Sequence, residues 1–362
     1  MTRRRVPALP VQPDRPVAPP GQLVLGRRWS LLLRRRSLLV TLGALLVAGL
    51  GVLVGLSTGT FPVSPRGLLT ILRGSGDPTA RYIVLDQRLP RVVAALAIGG
   101  TLGVSGAFFQ SVSRNPLGSP DVVGFTRGAS TGGILALLVL GSTSIGATSL
   151  GAVLGGALTA VLVIALGARS RLRGETLILV GIAVGQMLAA LNDYLLAASD
   201  LESAEAARTW QHGSLNAITW ASVRPLLVLI AIVLPLGLVL AVPGRVLELG
   251  DDAAAGLGMR VARTRLVLIG YGVVLASACV AVSGPIGFLA LAAPQVAARL
   301  TRTTGLGVLP AGAVGAALLL GADLAAGRLL SPFQIPVGLL TSALGGFYLL
   351  WLLSSAEPGR RA

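Results

Sequence analysis

Lysine is absent from this 362-residue chain, and histidine and cysteine occur once each, as His212 and Cys279. Each shortage removes a class of chemistry. A Walker-type nucleotide loop needs a lysine on the phosphates, and Schiff-base catalysis needs a lysine amine. One cysteine builds no disulfide scaffold, and one cysteine with one histidine supplies neither a thiolate nor an imidazole metal cluster. Charge is scarce as well. Only 12% of residues are Asp, Glu, Lys or Arg, about half the share of a soluble domain. With 53% apolar residues, no interior that this chain could build would hide its apolar surface from water. An integral membrane protein remains. Its net charge of +16 rests on 30 arginines.

Residues 1–36 stand apart, with six prolines and nine arginines. This composition predicts a disordered arm. The apolar run over 38–56 is too long for the core of a signal peptide and reads as a first span. A span needs about 20 apolar residues. Candidates follow at 38–56, 91–111, 128–141, 147–168, 175–197, 223–243, 264–283, 287–300, 309–327 and 336–353. The expected fold is therefore all-α, a polytopic membrane protein of ten transmembrane helices over 37–355, with a short tail at 356–362. The third and eighth spans are short and glycine-rich, which suits interior elements better than lipid-facing ones. With the N-terminus inside, 22 arginines fall on the cytoplasmic side and eight outside, as the positive-inside rule requires. Loop arginines on one membrane side leave nucleic acid a poor explanation of the charge.

Four features invite a chemical reading. Asp193 and Asp323 lie within spans, where an ionised carboxylate costs about 2.5–3.5 kcal/mol on insertion scales. Each is either a proton relay or a paired structural group, and Arg328 is a candidate partner for Asp323. The loop at 244–263 alternates Val246, Leu247, Leu249, Ala253, Leu257 and Met259 with Glu248, Asp251 and Asp252, a pattern for a short surface helix. Small residues recur inside spans, as at Gly99, Gly103 and Gly106, and allow close helix packing. Finally, V-S-G-A-F at 104–108 echoes V-S-G-P-I at 282–286, a hint of the inverted repeats common in transporters. No nucleophile–base constellation is available, so the residues point to a transporter or channel. A secondary transporter driven by protons on Asp193 or Asp323 is one alternative, and a membrane protein that moves nothing is another.

Eight segments carry a more specific signal. They are R-L-P-R at 88–91, S-G-A-F-F-Q at 105–110, R-N-P-L-G-S-P-D-V-V-G at 114–124 and W-Q-H-G-S-L at 210–215. Then come L-G-D-D-A-A-A-G-L-G-M at 249–259, S-G-P-I-G-F-L-A-L-A-A-P-Q at 283–295, A-D-L-A-A-G-R at 322–328 and I-P-V-G-L-L-T at 335–341. In order and spacing this set resembles the FecCD family of ABC-importer permeases for iron–siderophore complexes, haem and cobalamin, over about 38–354. The resemblance implies a type II ABC importer permease in the bacterial plasma membrane, with both termini cytoplasmic and no cofactor or catalytic residue of its own. It implies two cytoplasmic ATPase subunits that bind ATP, a second permease (self or sister), an extracytoplasmic siderophore-binding protein and the surrounding lipid as partners. By the same resemblance, Leu249, Gly250, Asp251, Ala254, Leu257, Gly258 and Met259 form the ATPase-coupling element. Arg88, Arg91 and Arg328 dock the binding protein, and Asn115, Pro116 and Leu117 border the inner gate of the pathway. Three positions depart from the family pattern: Ala255 replaces an arginine, Gln295 a histidine, and Gly346-Phe347 a Gly-x-Pro.

Overall fold

The computed structural model describes residues 22–25, 31–141, 144–168, 174–329 and 333–354. The tail at 356–362 and most of the arm lie outside these residues. Within the arm, β1 (Gln22–Leu25) pairs antiparallel with β2 (Leu31–Arg34). Composition alone suggested disorder there, but this stretch carries backbone pairing and leads directly into helix. Among the described residues, every regular element after it is a helix. In order come α1 (Arg35–Ser57), α2 (Pro65–Leu72), α3 (Pro78–Tyr82), α4 (Leu89–Ser113), α5 (Phe125–Ile134), α6 (Ile145–Ala168), α7 (Gly174–Ala198) and α8 (Leu201–Gln211). They are followed by α9 (Trp220–Val233), α10 (Leu236–Glu248), α11 (Asp251–Gly256), α12 (Val261–Ser283), α13 (Leu289–Thr301), α14 (Val308–Leu329) and α15 (Val337–Ser354).

Among the described residues, six helices are long and apolar enough to cross a membrane, and a seventh crossing results if α9 and α10 count as one broken span. That pair is bent by 50°. The cause is Pro235 between them, which has no N–H to continue the hydrogen-bond ladder. α3 runs through a π-helical segment (Ile83–Arg88) into α4, and a second π segment (Leu135–Val139) extends α5. Every predicted span thus has a helical counterpart, but α5, α13 and α15 fall short of the length test. As their lengths predict, α5 and α13 lie inside: Arg127 alone is exposed on α5, and only Arg299 and Leu300 on α13.

α4 forms the centre of the bundle. It packs on α14, α12 and α13, and its side chains are buried along most of its length. Glycine makes this possible. A side chain on Gly106 would run into the Ala290 carbonyl of α13, and one on Gly99 into the Gly315 carbonyl of α14. Phe108 and Phe109 fill the adjoining space, Phe108 edge-on to Tyr271 at 4.8 Å and Phe109 against Phe125 at 5.5 Å. By contrast, α1 touches α14 along one edge and leaves Leu39, Leu42, Leu46, Leu50 and Leu53 exposed, a surface suited to lipid rather than water.

The V-S-G echo does not mark equivalent places. Residues 104–108 lie within α4, whereas 282–286 straddle the end of α12. The likeness is at element level instead. α4 and α12 are long buried helices, and each is followed by a short helix entered through a left-handed residue, Gly124 before α5 and Phe288 before α13.

Candidate functional site

One end of the bundle gathers the C-terminal ends of α4 and α10 and the N-terminal ends of α12 and α14. Here α11 links α10 to α12. Gly250 enters it at φ 105° and Gly258 leaves it at φ 82°, backbone that glycine alone adopts cheaply. The short helix between them has two unlike sides. Ala254 is fully buried, with Leu247 buried and Met259 half-buried in the same cluster. Leu249 and Leu257 point away, 66% and 68% exposed. The amphipathic reading set all apolar residues of this loop against its acids, and the structure corrects it: Asp251 turns inward while Leu249 and Leu257 face out.

The inward turn has an electrostatic cause. Arg265, on the second turn of α12, has a side chain only 1% exposed and donates from Nη2 to Asp251 Oδ1 at 2.7 Å. A buried guanidinium is tolerable only with such a partner. Arg114, the left-handed C-cap of α4, brings a second Nη2 to within 3.6 Å of the same oxygen. One residue before the turn, Glu248 Oε1 accepts the Leu306 N–H at 2.8 Å, just ahead of α14. The loop is thereby tied to α4, α12 and α14 together.

Beside it lies the predicted inner-gate turn. Asn115 Oδ1 accepts the Leu117 N–H at 2.8 Å, a local turn of the kind Asn favours. The Pro116 carbonyl accepts from Gln295 Nε2 at 3.2 Å, and Gln295 also donates to Gln110 Oε1 at 2.7 Å. Gln295 therefore fastens α13 to α4 and to the turn. Leu117 remains 44% exposed. A cavity of about 280 Å³ with mixed polar and apolar walls opens here, lined among others by Gln110, Arg114, Glu248, Gln295 and Thr301. Deeper, Asp121 joins the starts of both short helices. Thr126 Oγ1 donates to its Oδ1 at 2.6 Å, and the Phe288 N–H to its Oδ2 at 3.2 Å. Burial pushes this carboxyl's pKa up, and the two hydrogen bonds oppose that. Phe288 holds φ 64°, a costly angle for an aromatic residue, and Gly345 of α15 leaves room for its ring.

The three arginines Arg88, Arg91 and Arg328 meet at the opposite end, but they are not equivalent. Arg88 donates to the Leu56 and Phe61 carbonyls at 2.8 and 2.7 Å and ties down the loop after α1. Arg91 grips Asp323 with both arms of its fork, Nε to Oδ2 at 2.8 Å and Nη2 to Oδ1 at 2.9 Å. Asp323 is thus paired, with Arg91 rather than with Arg328. Arg328 is exposed and bonds the Thr58 hydroxyl and the Leu324 carbonyl. Of the three, Arg328 presents the most charge outward. Asp193 is exposed on α7, and among the described residues no hydrogen bond or ion pair reaches it. Cys279 is buried, as expected of a small apolar residue. Among the described residues no three His, Cys, Asp or Glu side chains converge.

Comparison with known proteins places the chain in a family. The model of the FecCD transport family matches residues 45–355. The chain belongs to the FecCD transport family. It is 43% identical over 322 residues to the ferric enterobactin transport system permease protein of Escherichia coli strain K12, covering 88% of this chain and 96% of that one. With the hemin transport system permease protein of Yersinia pestis it shares 34% over 322 residues, covering 86% and 94%. A solved chain of a metal-chelate type ABC transporter in an inward-facing conformation superposes with a TM-score of 0.77 at 28% identity, covering 87% of this chain and 98% of that one. This FecCD chain is therefore a multi-pass membrane permease subunit, and ATP hydrolysis belongs to separate chains. Sequence reasoning missed Arg265, Gln110, Asp121 and Glu248 as site residues. Gln110 and Asp121 fall in the segments at 105–110 and 114–124 and Glu248 in the amphipathic loop, while R-T-R-L at 263–266, an arginine entering an apolar run, was the signal for Arg265.

Proposed function

We propose that this chain is the permease of an ABC importer that carries a ferric siderophore inward across the bacterial plasma membrane, with both termini in the cytoplasm and ten crossings. Two permeases pair, two ATPase subunits dock beneath, and a binding protein delivers cargo from outside. The observation that carries this reading is the build of α11. A helix with an exposed apolar pair, Leu249 and Leu257, and a firmly anchored inner side suits insertion into a groove of another protein. Gly250, Asp251, Ala254, Gly258 and Met259 set its shape. Ala255 is exposed where the family carries an arginine, so docking here relies on apolar contact.

The exposed faces of α7, with Leu179, Met187 and Tyr194, and of α15, with Leu344, Phe347 and Leu350, support a pairing surface that encloses the path. The turn at Asn115, Pro116 and Leu117 borders its inner mouth. Outside, Arg328 supplies docking charge to the binding protein, while Arg88 and Arg91 hold the rim that presents it. ATP binding in the partners would shift α11 and tilt the helices bound to it. No resident cofactor is required, since the partners hold the nucleotide.

Copurification tests the reading. The wild-type permease should retain its ATPase subunits, and Leu257→Arg should lose them. If that charge leaves the complex intact, α11 is not the coupling element. For cargo, ATP-dependent uptake of ferric enterobactin into proteoliposomes should be competed by other ferric catecholates and not by haem. Competition by haem would favour the second iron chelate among the relatives. A proton-coupled carrier using Asp323 is disfavoured by its two-armed pairing with Arg91, and uptake abolished by a protonophore yet indifferent to ATP would reinstate it.

A further inference from the structure

The anchoring of α11 goes further than docking requires. An element that only had to bind an ATPase would need its outer face, yet Asp251 on its inner side, with Glu248 at the end of α10 just before it, ties it to α12, to the C-cap of α4 and to the segment ahead of α14. Asp251 receives Arg265 from α12 at 2.7 Å and Arg114 from the end of α4 at 3.6 Å. Glu248 receives the Leu306 N–H ahead of α14 at 2.8 Å. Two of the three carriers, α4 and α12, are the most buried long helices of the bundle, and α4 packs directly on α14. We propose that Asp251, Arg265, Arg114 and Glu248 are the linkage that converts displacement of α11 into concerted movement of α4, α12 and α14, and that Arg265 is its principal positioning residue.

Physical reasons favour this over a purely stabilising role. Arg265 is buried and its charge-assisted bond to the partly exposed Asp251 is directional. A two-residue connection, Leu249 and Gly250, separates Glu248 from Asp251, so the two contacts lie close together in the chain. The cavity behind them, lined in part by Arg114, Glu248 and Thr301, gives the ends of α4 and α13 room to move. Packed helices joined by discrete contacts switch between arrangements rather than deform smoothly. This proposal rests on α11 being the ATPase-coupling element, which Leu257→Arg tests separately through assembly.

The experiment uses the complete importer, permease with its ATPase and binding-protein partners, in proteoliposomes, with ferric enterobactin as cargo. The measured quantity is cargo moved per ATP hydrolysed in Arg265→Gln, Arg114→Gln, Arg265→Lys and the swapped pair Asp251→Arg with Arg265→Asp. Because Leu249 and Leu257 are untouched, the glutamine variants should still assemble and hydrolyse ATP. Their transport per ATP should fall at least tenfold, and Arg265→Lys or the swap should recover part of it. A structural role alone would lower complex yield, hydrolysis and transport together and leave the ratio unchanged. An unchanged ratio in both glutamine variants, whatever their yield, overturns the linkage. Loss of the complex in Leu257→Arg with a reduced ratio in Arg265→Gln supports both readings, and retention of the complex in Leu257→Arg removes the coupling assignment on which the linkage stands.

Discussion

At the scale of single residues, charge pairing decides which positions the fold can tolerate. Asp323 is 4% exposed and Arg91 about a quarter exposed, joined by two parallel hydrogen bonds. Removing the arginine leaves a carboxylate with neither water nor partner. Arg91→Ala is therefore expected to lower stability by about 3–5 kcal/mol, as for other broken buried pairs. Thermal unfolding in detergent would measure this, and Arg91→Gln combined with Asp323→Asn should recover most of the loss. Full stability in Arg91→Ala would show that Asp323 is neutral or solvated. The sequence exposed both residues as conspicuous charges near spans, but it could not join them, because 232 positions separate the partners.

Elements depend on close approach more than on hydrophobicity. A γ-branched side chain at Gly106 has to displace the backbone of Ala290, whereas Gly43 on α1 has nothing within 4 Å of its missing side chain. Gly106→Leu should separate α4 from α13 and cost more than the ordinary 1–3 kcal/mol of overpacking, seen as loss of monodisperse protein after extraction. Gly43→Leu should be neutral under the same assay, and equal behaviour of the two would contradict the packing described. The element boundaries were legible because apolar runs, prolines and glycines act locally. The interior position of α5 and α13 follows from the same local signals, whereas the sequence reading ran 223–243 as one span across the bend at Pro235. The orientation of α11 was not legible. Which of its sides is inner depends on Arg265, fourteen residues beyond Asp251 and on another helix.

For the whole molecule, the two ends of the bundle carry different physics. One end offers an apolar pair on a charge-anchored helix, and the other an arginine-rich rim. Arg328→Glu reverses the exposed charge among Arg88, Arg91 and Arg328 without touching the Arg91–Asp323 pair. Association with the binding protein should slow about tenfold at low ionic strength, and the difference should shrink as salt is added, as expected for steering by rim charges. Stopped-flow association against salt would measure this, with Thr58→Ala as the control for the hydroxyl that Arg328 bonds. A salt-independent effect would mean that Arg328 shapes the rim rather than attracts the partner.

The amino-acid sequence by itself determined that this protein lives in a membrane, where its helices run, and what chemistry it lacks. Those properties are sums over neighbouring residues: hydropathy along a window, the absence of lysine, the few charges. Only the tertiary structure decided which arginine meets which acid, which glycines touch backbone, and which side of α11 is left for a partner. These depend on helices distant in the chain meeting in space, where the energy of burying a charge or closing a gap is settled by the neighbour and not by the residue alone.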